Sequence, residues 1–225
     1  MSTRAASVLP RSLDPLAQES LPGFILRLAH RLGHTPARIA ALTALDQSSA
    51  FPTMVPYHLL IRLSDEARAS FAAATRLTLA EVADLTLNTL GDRYLLPDTY
   101  VDRLAHSRVD SDPWLSAPAT RYCPLCLAGD GSAIQNAHGG PWRKTWYLSV
   151  VFACTHHRVL LAERCPSCQH PVHWSRKESR CRFCDTWDIV VRCDGVQQRV
   201  GAGVSGCGSG DCVAGGCVHG SGVRV

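Results

Sequence analysis

Four ligand pairs with the same spacing fall within residues 123 to 184. Cys123 and Cys126 stand in "RYCPLCLAGDG", Cys154 and His157 in "CTHH", Cys165 and Cys168 in "CPSC", and Cys181 and Cys184 in "CRFC". Two residues between donors turn the chain so that both donors face one ion, as tetrahedral zinc requires. Eight ligands make two sites. Buried, unliganded cysteines would have no reason to keep this spacing.

Pairing in sequence order puts Cys123, Cys126, Cys154 and His157 around one ion. Cys165, Cys168, Cys181 and Cys184 then hold the other. A cross-brace, first pair with third and second with fourth, is the competing arrangement. Sequential pairing is preferred because "CPSCQHPVHWSRKESRCRFC" is a compact ribbon that can close unaided. His156 is the alternative to His157, at a shorter knuckle spacing. His170 and His173 fall in an expected strand, "HPVHW", where packing or solvent exposure suits them better than ligation. Cys193 reads as a small buried hydrophobe.

The remainder of the chain fits this metal reading. An apolar fraction of 46% suits a globular protein. No apolar run is long enough for a transmembrane helix. The opening "MSTRAASVLPRSLDPLAQES" lacks the apolar core of a signal peptide. A cytoplasmic location follows as the expectation, and in that compartment eleven cysteines point to metal rather than to disulfides. Each expected site has four protein ligands, which leaves no open position for catalysis. H-E-x-x-H, the zinc-deaminase signature, a Walker loop and G-x-S-x-G are all missing from the sequence. The chain is therefore not expected to be an enzyme.

Residues 21–118 read as helical. In "GFILRLAHRLG", Phe24, Leu28 and Leu32 recur at intervals of four beside Ile25 and Ala29, which makes one helix face. Gly33 is the expected C-cap, and Thr35 before Pro36 the expected N-cap of "PARIAALTAL", which carries Ile39, Leu42 and Leu45. Ala29, Gly33 and Ile39 fit a helix-turn-helix pattern: small residue, turn glycine, buried aliphatic. A similar unit recurs. Ser64 caps "DEARASFAAAT", and "TLAEVADLTL" opens with the capping box Thr78 to Glu81. There Ala72 and Val82 take the matching places, but Arg76 replaces the turn glycine. An ordinary helical bundle gives the same pattern.

The equipment for reading DNA is sparse. A recognition helix offers Arg, Lys, Asn or Gln to base edges. The first unit offers Arg38. The second offers Glu81 and Asp84, which repel phosphates and suit a protein partner. Basic residues gather instead in the metal-binding region, as Arg143 with Lys144 and as Arg176, Lys177, Arg180 and Arg182. These are the candidate nucleic-acid contacts, and a solvated face is the plain alternative. The overall charge of +4 is mild.

"DPLAQESLPGFILRLAHRLG" resembles the opening of the TniQ family, where a Pro-rich lead runs through E-S-L into an arginine-bearing amphipathic helix. "RYCPLCLAGDG", "PWRKTWYLSVVFACTHHRVLLAERCPSCQHPV" and "CRFC" resemble its zinc segment, with its tryptophan-bearing strand and leucine pair. The resemblance covers about residues 9 to 190. It implies a helix-turn-helix region and two structural Zn2+ ions on the eight ligands named above. It also implies a non-catalytic adaptor in DNA transposition, linking a target-selecting component to the transposase machinery. The partners implied are a transposase, an ATPase regulator or a guide complex. DNA and a second copy of the chain are further candidates, and no membrane is expected. A stand-alone helix-turn-helix regulator and a zinc-stabilised protein-interaction module are the alternatives.

The expected organisation is a lead over 1–20, a mainly α, helix-turn-helix-like domain over 21–118, a small α+β double zinc ribbon over 119–192 and a Gly-rich tail over 193–225. The tail departs from the family, whose members continue into further helices. Cys207, Cys212 and Cys217 recur there every five residues, without knuckle spacing. Its composition suits a flexible segment. The expectation is that a truncation or reading-frame change replaced the original ending.

Overall fold

The computed structural model describes residues 8–34, 36–45, 58–94 and 121–164. The expected cap Thr35, the second ligand set Cys165, Cys168, Cys181 and Cys184, the basic residues Arg176, Lys177, Arg180 and Arg182, and the whole 193–225 segment lie outside the described residues. So do His170, His173 and Cys193.

The described part is mainly helical, with one small two-stranded sheet. Helix α1 spans Leu21–Leu32 and α2 Pro36–Leu42. A short α3 covers His58–Ile61. Helices α4 (Asp65–Thr75) and α5 (Leu79–Asp84) form the second pair. A 3-10 turn, Leu87–Leu90, follows α5. Beyond residue 120 come two short helices, Pro124–Ala128 and Ala133–His138, and a 3-10 turn, Lys144–Tyr147. Strands β1 (Ala153–Cys154) and β2 (Val159–Leu160) close an antiparallel hairpin. Among the described residues no helix is long and apolar enough to cross a membrane.

The local signals act as their chemistry requires. Ser20 caps α1 by accepting from the Gly23 N–H, and Gly33 ends it at φ 64°. Ser64 caps α4 by accepting from the Ala67 N–H. The Thr78–Glu81 capping box is complete in both directions. Arg76 takes the left-handed turn conformation (φ 60°) that a glycine would occupy without cost. Its guanidinium donates to the Leu9 carbonyl, which gives the arginine a reason to be there. The lead is part of the core. Leu9 and Leu13 are buried with Phe24, Ile39, Phe71 and Val82, and the Leu9 N–H donates to the Ala74 carbonyl.

Helix α1 is buried on more than one side. Leu21, Phe24, Ile25 and Leu28 face the helical core. A second stripe at the same spacing, Gly23, Leu26, Arg27 and His30, meets the metal-binding region or its approach. Leu26 packs with Trp142, Trp146 and the cysteines. Arg27 pairs with Glu19, and His30 Nδ1 lies 3.1 Å from His138 Nδ1. The chain before α1 is sewn to the same region. The Ser20 N–H donates to the Trp142 carbonyl, the Lys144 N–H donates to the Gln18 carbonyl, and Glu19 bridges Arg143.

Gly23 makes this approach possible. A Cβ there would sit 2.6 Å from the Trp142 Cβ. Gly23→Ala is therefore expected to destabilise the protein by about 1–3 kcal/mol through overpacking. Urea denaturation measures this, and an unchanged midpoint would mean that α1 and Trp142 do not pack as described.

Candidate metal centre

Three segments deliver the first ligand set. Cys123 precedes the Pro124–Ala128 helix, where Pro124 occupies the first turn that tolerates it, and Cys126 follows one turn later. Cys154 ends β1, and a turn closed by the Arg158 N–H donating to the Cys154 carbonyl holds His157 close to it. Tyr122 bridges Ala162, which aligns the first knuckle with the hairpin. Arg121 reinforces that alignment by donating to Glu163 and to the Ser149 and Val151 carbonyls.

The donor atoms of Cys123, Cys126, Cys154 and His157 all lie within 4.8 Å of one another. His157 Nδ1 stands 3.5 Å from Cys123 Sγ, 3.3 Å from Cys126 Sγ and 3.6 Å from Cys154 Sγ. Cys126 Sγ and Cys154 Sγ are 3.6 Å apart. Zinc bonds of about 2.3 Å to sulfur and about 2.0 Å to nitrogen imply tetrahedral edges of roughly 3.8 Å and 3.5 Å. The arrangement therefore fits a zinc-sized ion. It joins the first knuckle to the second, as sequential pairing requires. His156 is exposed and meets the His157 ring edge-on, with ring centroids 4.5 Å apart.

The electrostatics call for a cation. Burial raises the Cys126 thiol to about 12, and the neighbouring charge of Cys123 adds to the rise. Cys123 is raised as well, first by burial. Cys154 moves the other way: burial raises it, but hydrogen bonds from the His157 backbone and from the Cys126 and Cys123 thiols outweigh that and lower it. One thiolate is therefore favoured, and a metal ion would let the other two ionise beside it. The four ligands would hold such an ion structurally, because no position is left open for substrate.

The supporting structure differs from the expectation in two places, at Lys144 and at the tryptophan-bearing strand. Lys144, expected on a basic surface, is 1% exposed. Its ammonium bonds the Asp84 carboxylate at 2.7 Å, the Asp84 carbonyl and the Thr89 hydroxyl. A buried ammonium needs three acceptors, and it has them here. Lys144 thus leaves the set of candidate nucleic-acid contacts. Asp84 and Glu81, expected to face a partner, are both exposed, with one Asp84 carboxylate oxygen on that lysine and Glu81 in its capping box. The expected tryptophan-bearing strand is instead a 3-10 turn between isolated pairings, with Trp142 and Trp146 buried over the cysteines. Arg143 is half-buried and Arg38 is exposed.

The sequence reading missed Glu19 and Arg27. They form a 2.7 Å ion pair with both side chains fully buried. The available signal was an arginine inside the apolar run "GFILRLA", which only a buried partner makes tolerable.

Fold and site together define a mainly helical protein joined to a Cys3His cluster that could hold a metal ion. The chain belongs to the TniQ family, whose model matches residues 10–161. That match covers the second half of the lead, the described helices and the whole Cys3His set, and the TniQ domain is a transposition-associated one. No curated protein matches the chain.

Proposed function

We propose that the chain is a non-catalytic adaptor in DNA transposition, which links a target-selecting component to the transposase machinery. The observation that carries this reading is the family match over residues 10–161, with the Cys3His constellation inside it. In this reading Cys123, Cys126, Cys154 and His157 hold one structural zinc. Cys165, Cys168, Cys181 and Cys184 hold a second. The pair α1–α2 is the helix-turn-helix unit. Ala29 and Ile39 are fully buried across the left-handed Gly33, which supports that assignment. Arg38 and Arg143, with Arg176, Lys177, Arg180 and Arg182 outside the described residues, supply weak phosphate contacts. Such contacts release counterions, so binding weakens steeply with salt.

The test is capture of transposition components. The purified full chain should retain a transposase, its ATPase regulator or a guide complex encoded beside it, and should bind DNA only weakly by itself. Tight, salt-resistant binding to one DNA sequence without partners would favour the stand-alone regulator instead. Charge reversal as a probe of the acidic face belongs at Glu81 alone, because Asp84 is tied to Lys144.

A further inference from the structure

We propose that Lys144 couples the metal centre to helix α5, so that α5 is held more tightly while the centre is loaded. The proposal rests on the zinc reading of the Cys3His set. Helix α5 has six residues, too few to be stable without support. Its N-terminus is supported by the Thr78–Glu81 capping box. At the other end, the Asp84 carbonyl has no partner within so short a helix. Lys144 supplies one. Its Nζ takes that carbonyl, the Asp84 carboxylate at 2.7 Å and the Thr89 hydroxyl at 3.0 Å. One ammonium therefore ties the last turn of α5 to the Leu87–Leu90 turn, and its positive charge suits a helix C-terminus.

The lysine stays buried only because its own segment is held. The Lys144 N–H donates to the Gln18 carbonyl. Trp142 and Trp146, on either side of it, are buried in the cluster that contains Cys123, Cys126 and Cys154. The ligands thus fix the tryptophans, the tryptophans fix the 3-10 turn, and the turn holds the ammonium against α5. An ammonium released from that position regains full hydration, so nothing draws it back once the cluster loosens. Coupling of this kind is reciprocal: what the metal does for α5, α5 does for the metal.

Hydrogen exchange on the full chain tests it, with native mass spectrometry reporting zinc content. In the wild type, chelation should speed exchange over residues 79–90 roughly tenfold, within the usual range of coupling energies. Residues 71–75 of α4 should keep their protection. Lys144→Met loaded with zinc should show the same acceleration with an unchanged zinc count, and chelating that variant should add little more. Protection over 79–90 that survives chelation overturns the coupling. Zinc-loaded Lys144→Met as protected as the wild type shows that the lysine is not the link, and it decides the matter even where chelation frees every segment alike. Should Lys144→Met fail to fold, Thr89→Val removes one acceptor and should give the same pattern at smaller amplitude; undiminished protection there also overturns the proposal. Wild type with no zinc on the first ligand set would instead strike at the metal reading itself, whereas zinc bound without coupling leaves that reading intact.

Discussion

Replacing Cys126 with serine is expected to remove one of two zinc ions and to unfold the metal-binding region. A structural zinc contributes on the order of 10 kcal/mol of apparent binding energy at neutral pH, which exceeds what a small cluster of side chains can replace. Cys126 sits in the centre of that cluster, with Cys123, Leu127, Trp142 and Trp146. The loss should reach the helical part, because Leu26 of α1 lies in the same cluster. Native mass spectrometry should count two zincs in the wild type and one in Cys126→Ser. Tryptophan emission should shift to the red as Trp142 and Trp146 meet water. Cys165→Ser should lower the count equally by emptying the second ligand set. A variant that keeps both its zinc count and its emission would end the metal interpretation.

Spacing made the metal centre legible, because ligand geometry is local. A knuckle is defined within four residues, so Cys123 with Cys126 and Cys154 with His157 were visible before any fold was known. Caps were legible for the same reason: Ser64, Thr78 with Glu81, and Gly33 act on neighbours in sequence. The first stripe of α1 was readable from its period. The second stripe was not, because Gly23, Arg27 and His30 do not look like a buried face. The burial of Gly23 and Arg27 and the contact of His30 depend on what meets them: Trp142 and His138 arrive from more than a hundred residues away, and Glu19 folds back from just before the helix. Lys144 failed as a surface residue for the same reason. Its charge was plain, but its acceptors, Asp84 and Thr89, lie more than fifty residues away in sequence.

Where Glu19 is ionised, Arg27→Met is expected to cost about 3–5 kcal/mol, the usual penalty for leaving one member of a buried ion pair without its partner. The pair is incompletely satisfied, because Arg27 Nε and Nη2 have no partner among the described residues. Glu19 Oε2 accepts from Arg27 and from the Leu16 N–H, while Glu19 Oε1 has no partner among the described residues. Burial therefore outweighs the pull of Arg27 and raises the Glu19 carboxyl from 4.5 to about 7. The unfolded chain sheds this proton near 4.5, whereas the folded chain keeps it until about 7. The stability that comes from this group is fully present below the lower value and is lost as pH rises through the upper one. The slope approaches about 1.4 kcal/mol per pH unit between them. His138 works in the opposite direction. Its own burial, and then the nearby His30, Arg31 and Arg27, lower its value, so its contribution is lost as pH falls. The raw pH profile mixes the two, and Glu19→Gln separates them. Glutamine keeps the shape and cannot ionise, so the stability of the wild type relative to Glu19→Gln should rise as pH is lowered from about 7 toward 4.5. The Arg27→Met penalty should grow as pH rises above about 7, where Glu19 ionises beside the guanidinium in the wild type but has no counter-charge in the variant. Chemical denaturation of the three proteins from about pH 4.5 to above 7 measures both trends. A wild-type advantage that stays flat with pH would mean that Glu19 remains ionised throughout, held by Arg27 despite its burial.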